Sequence, residues 1–124
     1  FKKDDFLSKS KNFLNNNPDC IYECQLRKMR VETLSSLSQR EEAKEIEIKK
    51  LKEGLKARYK HPEVYPEILQ NIRDFYGDLG KDEKAKIYEK AAEEYEDRFD
   101  SGDLDLTYRG VNDFLRKKGE LKGQ

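Results

Sequence analysis

Residues 66–80, PEILQNIRDFYGDLG, decide the fold class. Ile68, Leu69, Ile72, Phe75, Tyr76 and Leu79 recur three and four apart, which stacks them on one face of a helix of about 3.6 residues per turn. Pro66 fits the first helical position, where its missing N–H costs nothing. Gly80 marks the end, because glycine takes the left-handed backbone that closes many helices.

The same period recurs on both sides of this stretch. Upstream, Ala43, Ile48, Leu51, Leu55 and Tyr59 form an apolar stripe. Ser38 with Glu41 three residues on makes a capping-box pattern at its start. The stripe should end by Lys60 or His61, because the residue before Pro62 avoids helical dihedrals. The other side of this helix carries Glu and Lys four apart, which suits a solvated face. Downstream, Asp82 can cap a helix bearing Ile87, Tyr88, Ala91, Ala92, Tyr95 and Phe99. DSGD at 100–103 reads as a turn. Leu106, Tyr108, Val111, Phe114 and Leu115 line a final helix. It closes on RKKG at 116–119, basic residues where a helix C-terminus welcomes them.

The first third of the chain is less regular. A short helix over 4–15 places Phe6, Phe13 and Leu14 on one side and is interrupted by NNNPD at 15–19. Asn17 can cap and Pro18 can open a second helix, 18–37, with Ile21, Cys24, Met29, Leu34 and Leu37 as core candidates. Nowhere does strict alternation coincide with β-branched residues. The expectation is one all-α domain over 1–124, a compact bundle of five to six helices with a central antiparallel helical hairpin. Its parts are N-terminal helices at 1–37, a core at 38–99, and a last helix with a basic tail at 100–124.

Composition narrows the function. Charged residues make up 42% of the chain and hydrophobic ones 35%, so each apolar side chain is needed for the core and little is left to line a cavity. The charges are interleaved, and seven Tyr with six Phe argue against a disordered chain. Lys+Arg and Asp+Glu balance at 26 each, leaving no general attraction to nucleic acid. No apolar run has the length of a membrane span or the build of a signal peptide. The chain opens on Phe1, as a trimmed or processed form would, and its compartment stays open.

Candidates for chemistry are few. Cys20 and Cys24 are four apart, a helical spacing that holds Cβ atoms at about 5–6 Å, beyond the roughly 3.5–4.5 Å of a disulfide. Two reduced, half-buried thiols are expected. His61 is the sole histidine, and with these cysteines it does not complete a zinc site. Asp103 and Asp105 lack the glycine and terminal Glu of a calcium loop. There is no phosphate loop or nucleophile elbow, and the expectation is a non-enzymatic chain without metal or cofactor. His61-Pro62 reads as a helix stop, with a binding loop as the alternative.

Set in order, these pieces resemble a degenerate J-domain over about residues 31–95, the helical co-chaperone module of DnaK-type ATPase chaperones. VETLSS (31–36) stands where that family has its first helix. EIEIKKLKEGLKARY (45–59) is similar to its basic second helix, and KHPE (60–63) falls at its His-Pro-Asp loop. EILQNIRDFYGDL (67–79) and KDEKAKIYE (81–89) are similar to its third helix and the turn into its fourth. The resemblance implies a protein-interaction module. Lys60 is an extra residue in the loop, and Glu63 stands where the family has the aspartate that contacts the chaperone; ATPase stimulation is therefore not expected. Residues 36–54 with 67–91 are also similar to the helix-rich lipid carriers of nematodes, the polyprotein allergens and fatty-acid-and-retinol-binding proteins. That implies a small apolar ligand as the alternative, disfavoured by the lean apolar composition.

The partner-binding set that follows is Lys49, Lys52, Lys56, Lys60, His61, Pro62 and Glu63. The hairpin should place Leu51, Leu55 and Tyr59 against Leu69, Ile72 and Tyr76, with the lysines facing outward toward an acidic protein surface. Glu45 and Glu53 close by give the competing reading, a merely solvated face. Basic residues without interleaved aromatics do not suit nucleic acid.

Overall fold

The computed structural model describes residues 2–17, 22–34, 36–57, 64–100 and 102–121. It consists of α1 (Lys3–Asn16), α2 (Glu23–Thr33), α3 (Leu37–Ala57), α4 (Val64–Asp78), α5 (Asp82–Phe99) and α6 (Leu104–Lys117), with no strand among the described residues. Tyr59, Lys60, His61, Pro62 and Glu63 lie outside the described residues, as do Pro18, Cys20 and Ile21.

Helix α4 is the centre of the bundle. Ile68, Leu69 and Ile72 are fully buried, and Phe75 and Tyr76 nearly so. Leu79 is only half-buried, because it lies past the last helical residue. The helix begins two residues before Pro66. Val64 and Tyr65 are both buried, and that burial outweighs the reluctance of a residue before proline to take helical dihedrals. At the other end Gly80 adopts φ +75°. There its N–H donates to the Gly77 carbonyl at 3.0 Å, and the Lys81 N–H to the Tyr76 carbonyl at 2.9 Å. This paired closure turns the chain back, and the short connection makes α5 an antiparallel neighbour of α4.

Helix α3 also runs antiparallel to α4. Its early residues Lys44 and Glu45 meet Asp78 and Lys81 at the far end of α4, at 3.6 and 3.2 Å. Its late residue Leu55 is tied to the start of α4 through Asn112, whose side-chain amide donates to the Leu55 carbonyl at 3.1 Å and accepts from the Tyr65 hydroxyl at 2.5 Å. Leu51 and Leu55 share one buried cluster with Leu69, Ile72 and Tyr76. The more extensive of the two hairpins is nevertheless α4 with α5, and α6 then packs on α5. Tyr65 stacks on Tyr95 at 5.1 Å and meets Tyr108 edge-on at 4.8 Å, so an aromatic cluster joins the three helices.

Several start signals shift. Helix α3 is capped by Ser36 rather than Ser38, since the Gln39 N–H donates to the Ser36 hydroxyl at 3.1 Å. Asp82 is the first residue of α5 and not its cap, and Lys81 precedes it without a side-chain capping bond. Helix α6 is capped by Asp103, which accepts from the Leu106 N–H at 3.0 Å.

The N-terminal helices attach differently. Helix α1 packs on α2, and α2 on α3 and α4. The buried face of α2 is Glu23, Cys24, Arg27 and Val31; Met29, read as core, points outward. Arg27 sits between Glu23 at 3.0 Å and Glu47 of α3 at 2.5 Å, all three side chains buried. Arg30 donates to the Leu7 carbonyl and the Ser10 hydroxyl of α1 and lies 3.4 Å from Glu47. Burial disfavours the Arg27 cation, but the two carboxylates more than compensate and its pKa is raised.

Candidate functional site

The turns of α3 that carry the candidate lysines border a groove of about 580 Å³. Lys49, Lys52, Lys56, Glu45 and Glu53 come from α3, Tyr76 and Lys81 from α4 and the turn after it. Gly119, Glu120 and Leu121 come from the segment following α6. The basic residues supply charge at the rim, while Ile48, Tyr76 and Leu121 give the floor an apolar part.

Lys49 and Lys56 are exposed, as expected, and stand two helical turns apart on one face. Among the described residues neither has an ion-pair partner. Lys52 does not face outward. Its ammonium lies 3.0 Å from a Glu120 carboxylate oxygen and 5.1 Å above the Tyr76 ring, with the Tyr88 ring at 5.9 Å. An opposite charge and two aromatic faces draw the long side chain in, and its methylene stem covers apolar surface. Lys84 of α5 approaches the same carboxylate at 3.9 Å and the same Tyr76 ring at 5.5 Å. Burial, with the Glu120 charge beside them, pushes the Tyr76 and Tyr88 phenols well above the usual range and keeps them protonated.

Sequence reading missed Glu120, Lys84 and the part that Tyr76 and Tyr88 play. Glu120 follows the glycine at which α6 stops, so no periodic pattern reaches it. Its burial depends on where that turn lands. Gly119 adopts φ +77° and the Glu120 N–H donates to the Leu115 carbonyl at 2.9 Å, which aims the next side chains at α3, α4 and α5. A local signal for this docking is absent from the sequence.

Cys24 carries a free, buried thiol. Burial is the main cause of its raised pKa, with Glu67 and Glu23 adding to it, so it stays a thiol rather than a nucleophilic thiolate. A second cleft, of about 620 Å³, runs between α2, α4 and α5. It is lined by both signs of charge, including Lys28, Arg73, Asp74, Asp78, Lys86 and Glu89. Among the described residues no group of three or more His, Cys, Asp or Glu side chains is placed to hold a metal ion. No helix among them is long and apolar enough to cross a membrane.

No protein family, curated protein or solved structure matches this chain.

Proposed function

We propose that this chain is a non-enzymatic helical protein-interaction module that takes an acidic segment of a partner protein along the basic face of α3. The observation that carries the reading is the pair Lys49 and Lys56, exposed on one face beside a groove with a partly apolar floor and without carboxylate partners among the described residues. The likeness of residues 45–63 to the basic helix and loop of a J-domain supports the same use of this face. Lys52 forms the inner wall of the groove, and Lys60 to Glu63 follow in sequence.

Exposed charge pairs are worth about 0.2–1 kcal/mol each, and about 1.4 kcal/mol is a tenfold change in affinity. Reversing both exposed lysines in Lys49→Glu/Lys56→Glu should therefore weaken capture of the partner by about tenfold or more. Raising salt from about 0.05 M to about 0.5 M should weaken it too, because exposed charges are screened within about 8–10 Å near physiological ionic strength. The experiment is affinity capture from the native source at both salt concentrations, with the double variant alongside. Partners held equally well by the variant, or insensitive to salt, would remove this face from the account. A fluorescent fatty acid bound stoichiometrically would instead favour the lipid-carrier reading.

A further inference from the structure

The segment after α6 places a carboxylate and a leucine where three helices have prepared a site for them. The Glu120 side chain is 96% removed from solvent, an expensive position for a charge unless the surroundings compensate. They do: Lys52 from α3 lies at 3.0 Å and Lys84 from α5 at 3.9 Å. Both ammonium groups also rest on the Tyr76 ring of α4, at 5.1 and 5.5 Å. Leu121 enters the hydrophobic core cluster next to them.

The cations are oriented by aromatic faces that belong to the core, so their positions are set largely by α3, α4 and α5. Without Glu120, the partly buried Lys52 ammonium and the more exposed Lys84 ammonium would converge on the same Tyr76 ring with no anion between them. That is a standing demand for a carboxylate, whichever chain supplies it. The element that meets it here is a single carboxylate and a single leucine after a glycine turn.

From this we infer that Lys52, Lys84, Tyr76 and Tyr88 form a receptor pocket for an acidic-then-aliphatic peptide, which Glu120 and Leu121 occupy in cis until a partner segment of the same chemistry displaces them. The inference rests on the acidic partner proposed above and names its anchor: one carboxylate inserted between Lys52 and Lys84, followed by an aliphatic side chain. The rim lysines Lys49 and Lys56 border the same groove and favour further acidic residues alongside.

The test uses the full chain, ¹⁵N-labelled, and the probe acetyl-Gly-Glu-Leu-amide, copied from residues 119–121. A cis ligand competes at an effective concentration of about 1 mM, so for a contact with an intrinsic dissociation constant of about 0.1 mM vacating the pocket should tighten the apparent affinity for a trans ligand by about tenfold. The expected result is that Glu120→Gln/Leu121→Ala binds the probe about tenfold more tightly than the unsubstituted chain. Saturable shifts should centre on the amides of Lys52, Tyr76, Lys84 and Tyr88. Binding should be lost when the probe glutamate is replaced by glutamine, or when Lys84→Gln is added to the protein.

Equal affinity for both proteins would overturn the inference, as would equal binding of the glutamine probe or absence of shifts in a variant that keeps its helical circular dichroism. If the double variant loses that signal, Glu120→Gln alone is held to the same criteria. A concentration-dependent dimer of the unsubstituted chain, with the same four amides shifted, would assign the pocket to a second copy and overturn the partner. The two readings fail separately. Partner capture that depends on Lys49 and Lys56 without any gain from vacating the pocket would sink only the displacement. Probe binding without a salt-sensitive partner would sink only the basic face.

Discussion

Ile72 shows what a single core side chain carries. It is fully buried in the central helix, and Ile72→Ala removes its side-chain packing and leaves a cavity; the expected cost is about 2–5 kcal/mol in denaturant unfolding. A loss under about 1 kcal/mol would mean that the neighbours collapse into the space. Two glycines of α4 and its closing turn should respond with opposite signs. A Cβ at Gly77 meets nothing within 4 Å, and Gly77→Ala should stabilise by about 0.5–1 kcal/mol by reducing the freedom of the unfolded chain. Gly80 sits at φ +75°, where an L side chain is strained, and Gly80→Ala should destabilise by roughly 1–2 kcal/mol. Thermal melts of the two variants separate the effects. Both signals were legible in the sequence: Ile72 by its period, and Gly80 by its place after the last apolar residue. The buried acids were not. Glu23, Glu47 and Glu120 look like solvated residues in a chain so rich in charge, and only their partners on other helices make their burial tolerable.

At the scale of elements, the attachment of α1 and α2 is the distinctive join. The other helices meet mainly through leucine, isoleucine and tyrosine, whereas α2, besides adding Cys24 and Val31 to the core, reaches α3 through Arg27 between two buried carboxylates. Removing one member of such a set leaves charge buried without compensation, at a cost of about 3–5 kcal/mol. Arg27→Met should lose about that much, and hydrogen exchange should quicken first in α1 and α2. Uniform acceleration through α4 and α5 would show instead that the N-terminal helices unfold only with the rest. Replacing Glu23, Arg27 and Glu47 together by apolar residues of similar size should recover most of the loss, since buried ion sets are often no more stable than well-packed apolar ones. The helix starts in this region were the least legible part of the sequence. Ser36 and Ser38 offer nearly the same capping pattern, each followed three residues later by Gln39 or Glu41, and in the structure it is the Ser36 hydroxyl that accepts from the Gln39 N–H.

For the whole molecule, alkaline pH is the informative stress. Tyr65, Tyr76 and Tyr88 have pKa values raised chiefly by burial, so in the folded protein they keep protons that an unfolded chain loses near pH about 10. Below that pH the native state and the unfolded chain hold these protons alike. Above it the unfolded chain binds fewer, and stability must fall as pH rises through the window between the ordinary and the raised values. The melting temperature should change little on their account up to about pH 9 and fall steeply toward about pH 11. Of the seven tyrosines, these three should develop tyrosinate absorbance only as the chain unfolds. A smooth titration of every phenol with helical structure intact would contradict their burial. Salt should act on a different feature, weakening partner capture by α3 while leaving the buried Arg27 cluster nearly untouched, because screening ions reach the rim and not the interior.

Local pattern determined the helical class, the central place of residues 66–80 and the glycine turns, because helical period, turn residues and a short connection act between neighbours in sequence. The sequence also pointed to α3 as the basic face, and Lys49 and Lys56 stand outward there. Tertiary structure alone decided that Lys52 turns inward, that Asn112 ties α3 to α4, that Arg27 rather than Met29 belongs to the buried face of α2, and that Glu120 closes a pocket. Each of these depends on a partner dozens of residues away, or on which of two faces a neighbouring helix covers. A charged side chain carries no mark of its burial until the opposite charge that makes it affordable has been brought beside it.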